Sequence, residues 1–227
     1  PVDYKKRYRP ISAGDADSNP VLPLAFWAKI PPLFFLKTEI RMLYHFLKNM
    51  LDILRLRYKH PAEYTYPLPV ILAVLLLLGM INAAAMSALF GKDAAAIVFS
   101  ILLTAVKWLI LSRTMSAVLH YYGAPRLPLQ GFTLASEALN IPMLLVLYVP
   151  QLSPLGLLWQ IWAFWAQAIG YIKMGNVAGW KVAVGYIAYF ICTLIAGSAL
   201  LMLFTHLGWM NEEMLRHQLQ TILQQQK

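Results

Sequence analysis

Glu137 is the residue on which chemistry in this chain would turn. It is a carboxylate inside an apolar stretch, and the next such stretches upstream carry two cations, Lys107 and Arg113, while Asn140 follows one turn later. Ionisable groups inside a bilayer are costly, and they mark either buried pairs or paths for ions and substrates. Counting ~1.5 Å of rise per residue puts Arg113 and Glu137 each ~9 Å from the same ends of their helices. The spacing therefore predicts an Arg113–Glu137 ion pair, with Lys107, closer in depth to Asn140, as the substitute partner. A proton or ion relay is the competing reading, and snorkelling of Arg113 to the interface is the third. Gln160 and Gln167 lie seven apart on one helix face with Ala163 and Gly170, where small residues let helices approach and amides bond across the gap.

Other chemistries lack their residues. The five histidines, His45, His60, His120, His206 and His217, have no paired metal-ligand spacing. Gly-rich phosphate loops and nucleophile elbows are missing. Cys192 is the single cysteine, which rules out an intrachain disulfide or a thiolate cluster. Asp15 and Asp17 alternate as in a calcium loop, but no glutamate closes the pattern. The expectation is no enzyme, no metal and no cofactor.

The elements that must hold the polar set are membrane helices. Apolar residues make up 59% of the 227, with a mean hydropathy of +0.58, against ~45–50% apolar usage in soluble domains. A bilayer core needs ~20 apolar residues per helical span. Five spans are predicted, at 68–90, 94–119, 131–149, 155–171 and 182–204, with Pro142 a source of a kink in the third. The fold class is all-α, a polytopic five-helix transmembrane bundle. Of the 19 basic residues, 11 precede the first span; Arg126, Lys173 and Lys181 fall in loops on the same side, whereas the opposite loops hold only Lys92. Positive residues stay inside, so the amino terminus is expected in the cytoplasm and the carboxyl terminus outside. Residues 1–20 are polar and charged, so a cleavable signal peptide is not expected.

Ahead of the first span, Leu36, Ile40, Leu43, Leu47, Met50 and Leu54 recur at helical spacing, opposite Arg41, His45, Lys48, Asp52, Arg55 and Lys59. The pattern predicts a basic amphipathic helix over 33–60, lying in the interface plane with its apolar stripe among acyl chains. Arg41, Lys48, Arg55, Arg57 and Lys59 then form a surface for anionic phospholipids at the cytoplasmic face. The net charge of +9 is assigned to that lipid surface and not to nucleic acid. Residues 1–32 read as a flexible basic segment, 67–205 as the transmembrane domain and 209–227 as an external amphipathic helix capped by Asn211.

The order of features resembles the bacterial version of the Yip1 domain. The likeness runs from the amphipathic segment ending at 47–58 through Gly123-Ala124-Pro125 and the run 133–142. It continues through 159–170 and Trp180-Lys181-Val182-Ala183-Val184-Gly185-Tyr186. It implies five helices with a cytoplasmic amino terminus. Eukaryotic relatives bind small GTPases through an Asp-Leu-Tyr-Gly-Pro-type motif that this chain lacks, so that role is not carried over. The functional expectation is a non-catalytic scaffold or accessory subunit of a bacterial inner-membrane complex, with a membrane-protein partner or a second copy bound. The alternative is a small transporter or lipid-handling protein using the polar set around Glu137.

Overall fold

The first described element, α1, spans Pro32–Leu54 in a computed structural model that describes residues 32–90 and 93–209. The expected flexible segment at 1–32 and the expected external helix at 209–227 lie outside the described residues, apart from Pro32 and Trp209. Residues from Arg41 onward form one compact unit. Within it α1 divides its apolar residues between two faces. Phe46, Asn49 and Ile53, spaced 3 and 4, are buried in the core, while Leu43, Leu47 and Leu51 stay exposed. Met50 and Leu54 lie between the two.

The helix ends at Leu54, five residues short of Lys59, although nothing before Pro61 is a conventional stop signal. Arg57 donates its backbone N–H to the Asp52 carbonyl at 2.8 Å, and Leu56 donates to Ile53 at 2.9 Å. These are the two bonds of a Schellman motif, with Leu56 at φ 59° in the left-handed position. A non-glycine residue there costs ~1–2 kcal/mol, offset by packing of Leu56 on the core and by Trp162, whose indole N–H caps the Leu54 carbonyl at 3.2 Å.

Four helices are long and apolar enough to cross a membrane: Leu68–Ala85, Ala94–Tyr121, Gln130–Tyr148 and Gly179–His206. This is the frame of a multi-pass integral membrane protein. The first, α2 (Leu68–Ala85), begins at two prolines, Pro67 and Pro69, where no intrahelical donor is lost. The next, α3 (Ala94–Tyr121), would be ~42 Å long, more than the ~30 Å of a bilayer core, and must tilt. The Gln130–Tyr148 span is interrupted: α4 (Gln130–Glu137) passes into a 3-10 turn at Ala138–Asn140, and α5 (Met143–Tyr148) resumes after Pro142. Then come α6 (Ser153–Gly175) and α7 (Gly179–His206). The fourth expected span falls on α6, which has the length but not the mean hydropathy of the other four, because Trp159, Gln160, Trp162, Trp165, Gln167 and Tyr171 lower it.

Packing centres on α3, flanked by α2 and α7. Gly79 makes the first contact possible: a Cβ there would sit 2.7 Å from the Cα of Ile101. Gly185 does the same for α7, where a Cβ would meet the Met115 sulfur at 2.6 Å. Gly185 is buried, but Cys192 and Ala199 are exposed, and Val182 and Phe204 supply buried positions at the ends of the packed face.

Candidate functional site

The break in the third span decides where Glu137 and Asn140 point. Pro142 has no N–H and its ring clashes with the carbonyl four residues back, so the α-helix cannot run through it. One freed carbonyl, that of Leu139, accepts the Trp159 indole N–H at 2.7 Å. Irregular backbone at membrane depth is tolerated where it is buried or lines a cavity, and here it does both. Leu139 is buried, whereas Glu137 and Asn140 line an open cavity of about 260 Å³.

Three further elements complete that cavity. Asn82 comes from α2, Thr104 and Lys107 from α3, and Gln160 from α6. The apolar wall is Leu78, Ile81, Met143, Val146 and Leu147, and the exposed Ala85, Leu147 and Gln160 stand at its mouth. Asn82 donates to the Thr104 hydroxyl at 2.9 Å, which donates to the Ser100 carbonyl at 2.7 Å. Lys107 and Glu137 share the cavity and a smaller adjoining one with Trp108 and Tyr189, yet no ion pair forms between them. Among the described residues the ion pair is Lys59–Asp52, and no group accepts a hydrogen bond from the Lys107 ammonium.

Arg113 stands apart from this site. It is exposed and does not line the cavity, so the expected Arg113–Glu137 pair is not made. Depth was the wrong coordinate on its own. Six residues at 100° each turn Arg113 about 120° away from Lys107 around α3, and only the Lys107 azimuth faces Glu137. Lys107 and Asn140, expected at similar depth, line the same cavity.

Gln160 and Gln167 also separate. Gln160 reaches the mouth, but Gln167 is buried behind the cavity in a chain of hydrogen bonds. Tyr186 of α7 donates to its amide oxygen at 2.8 Å. The Gln167 amide nitrogen donates to the Ser136 hydroxyl at 2.9 Å and to the Glu137 carboxylate at 3.2 Å. Thr133 and Tyr171 are joined at 2.8 Å beneath them. This network fixes one carboxylate oxygen of Glu137 from behind. Asn82 and Tyr186 were missed as site residues; a lone amide in the otherwise apolar α2 was the signal for Asn82.

Towards the end where Arg126, Lys173 and Lys181 lie, the core packs around Phe132, and a shallow surface pocket of about 350 Å³ opens beside Tyr58, Lys59 and Lys173. Phe132 is enclosed edge-on by Tyr58, Tyr64 and Tyr171, at centroid distances of 6.2, 5.5 and 5.2 Å. Gly170 is needed there, because a Cβ would collide with the Phe132 ring, and Gly131 is needed where the chain passes the Tyr64 carbonyl. Asn49 of α1 donates to the Tyr66 hydroxyl at 2.9 Å and accepts from the Lys59 ammonium at 2.7 Å, which pairs with Asp52 at 3.2 Å. The expected lipid-facing basic surface is therefore reduced. Lys48, Arg55 and Arg57 are exposed, Lys59 is held within the protein, and the Arg41 side chain lies outside the described residues.

Among the described residues no three His, Cys, Asp or Glu side chains converge as metal ligands would. Comparison of the chain with protein-family models, with curated proteins and with solved structures finds no match.

Proposed function

We propose that the chain binds a small polar or amphiphilic molecule in the Lys107–Glu137 cavity and transports or presents it within the membrane, without covalent chemistry. One observation carries the reading: Lys107 and Glu137 line the same cavity without forming an ion pair, and the Lys107 ammonium has no protein acceptor among the described residues. An ion pair kept for stability alone would close that gap, because unpaired charge in the membrane is costly. The proposal includes five spans, with the amino terminus in the cytoplasm of a bacterium, the carboxyl terminus outside, and α6 as the fifth crossing. Leu155, Leu157, Leu158, Ile161, Phe164 and Trp165 give α6 an outward apolar face that favours insertion. It also retains the likeness to the bacterial Yip1 domain, which rests on the order of elements.

A second reading, a non-catalytic scaffold or accessory subunit, is favoured by α7. Only 6% of its apolar window is buried within the chain, and Ile187, Phe190, Ile191, Leu194 and Ile195 face outward. Lipid covers such a face, and so would a partner helix. Native mass spectrometry of the chain extracted in mild detergent separates the two. A small molecule retained by the wild type and lost from Lys107→Met supports the cavity reading; a stoichiometric protein partner held by both forms supports the scaffold. A reporter fused after Lys227 is expected outside the cell, and an internal one would remove the α6 crossing.

A further inference from the structure

We propose that the cavity selects a zwitterion, seating an ammonium group at Glu137 and a phosphate or carboxylate group at Lys107; this rests on the cavity reading above. The two charges come from separate helices, α3 and α4, and face one space of about 260 Å³ without meeting. A neutral ligand would leave both unpaired. A simple anion would satisfy Lys107 and be repelled by Glu137, and a simple cation the reverse. A molecule carrying both signs pairs each, and as it has no net charge it enters a low-dielectric site at less desolvation cost than an ion.

The hydrogen-bonding capacity matches this assignment. An ammonium offers three donors and no acceptor, and a carboxylate offers about four acceptor sites. Lys107 uses none of its donors on the described protein, and Glu137 accepts only from Gln167. Asn140 and Gln160 add neutral donors and acceptors along the rim.

Size narrows the class further. The cavity, at about 260 Å³, lies below the ~300–1,000 Å³ of sites that enclose drug-sized ligands. That suits a headgroup or a small free zwitterion. The apolar wall formed by Leu78, Ile81, Met143, Val146 and Leu147, with its mouth at the exposed Leu147, gives acyl chains a way out towards lipid. The shared chemistry is an amine joined to a phosphodiester, available as the phosphoethanolamine headgroup of a phospholipid or as free glycerophosphoethanolamine.

The test uses the full chain, delipidated in detergent, with native mass spectrometry and thermal shift as readouts. Phosphatidylethanolamine, phosphatidylglycerol, a diacylglycerol and free glycerophosphoethanolamine serve as probes. The expected result is saturable binding of one phosphatidylethanolamine per chain, ~10-fold or more tighter than phosphatidylglycerol. Glu137→Gln should remove that preference by improving phosphatidylglycerol relative to phosphatidylethanolamine, and Lys107→Met should weaken both phospholipids. Competition by free glycerophosphoethanolamine would make the source soluble, and its failure to compete would make it the membrane; either supports the zwitterion. Should Glu137→Gln not fold, Gln160→Trp, at an exposed mouth position, should block binding without touching a charge. Equal or tighter binding of phosphatidylglycerol to the wild type overturns the inference. If another molecule is retained by the wild type and lost from Lys107→Met, the cavity reading survives and the zwitterion does not. If nothing binds to any form, both fall.

Discussion

At the basic end of the bundle Asn49 is fully buried among His45, Tyr66 and Lys59, and Phe132 is enclosed by three aromatic rings. Past the midpoint of α3, Lys107 and Glu137 face an open cavity whose polar groups are only partly engaged. Both regions contain charged and amide side chains that an apolar chain could have avoided. They differ in satisfaction. Where Asn49, Tyr66, Lys59 and Asp52 satisfy one another the residues hold the fold, and where Lys107 lacks a protein acceptor the proposed ligand would supply one. The helix break at Ala138–Asn140 and Pro142 marks the boundary between the two.

The comparison is broken most directly at its packed end. Phe132→Ala removes a ring that is 0% exposed from between Tyr58, Tyr64 and Tyr171, and the expected loss is ~3–5 kcal/mol. Reversible unfolding in mixed detergent micelles measures it. A loss below ~1 kcal/mol would show that the rings collapse freely into the space, and that this end is not the rigid one.

Asn49→Ala comes next. It strands the Tyr66 hydroxyl and leaves Lys59 with Asp52 alone, an expected loss of ~1–3 kcal/mol. Pairing it with Tyr66→Phe should give less than the sum of the two single losses, since the hydrogen bond between them is lost only once. Strict additivity would mean that the Asn49–Tyr66 bond of 2.9 Å contributes nothing.

Much of this division was legible in the sequence, but only along single helices. Hydropathy located the four helices long and apolar enough to cross a membrane, and the rarity of charge inside such stretches singled out Lys107 and Glu137. What a linear pattern does not contain is azimuth across a helix pair. Arg113 matched Glu137 in depth and missed it by a third of a turn. The same gap hid Asn49, which sits between the apolar and basic stripes of α1 and is buried because the helix lays that seam on the core. The end of α1 at Leu54 was hidden differently. A leucine in the left-handed region is held there by tertiary contacts such as the Trp162 cap, 108 residues away, and no local residue preference encodes them.

A smaller effect should appear in alkali. Burial pushes the Tyr66 hydroxyl up to about 12, against the opposing pull of the Asn49 hydrogen bond, from an ordinary value of 10.0. Burial first, then the neighbouring Tyr64, pushes Tyr58 up to about 12 as well. In the unfolded chain these phenols ionise first, so the folded state binds more protons between pH 10 and 12 and stability falls as the pH rises. Their contribution is whole below pH 10 and is lost on approach to about pH 12. The stability gap between the wild type and Tyr66→Phe should accordingly narrow by ~1–2 kcal/mol across that window. A gap that stays constant would mean that Tyr66 is reached by solvent, and would weaken the picture of a tightly packed Asn49–Tyr66 region.

The smallest expected effect is the sharpest test of the contrast. Lys107→Met should change the stability of the ligand-free protein by no more than ~0.5 kcal/mol, or raise it, although it deletes a charge from the middle of α3. The reason lies in what that charge now lacks. No described protein group accepts from the ammonium, so methionine, of similar length and without a hydration shell to lose, gives up no bond and avoids a desolvation cost that insertion scales put at ~2.5–3.5 kcal/mol for a central cation. Glu137→Gln should cost somewhat more, because Gln167 loses a charged acceptor at 3.2 Å and keeps a neutral one. If Lys107→Met instead destabilises as much as Asn49→Ala, the ammonium is held by the protein after all. The open region would then be an ion-pair site like Lys59–Asp52, and the distinction between an end that folds the chain and a cavity that serves a ligand would collapse.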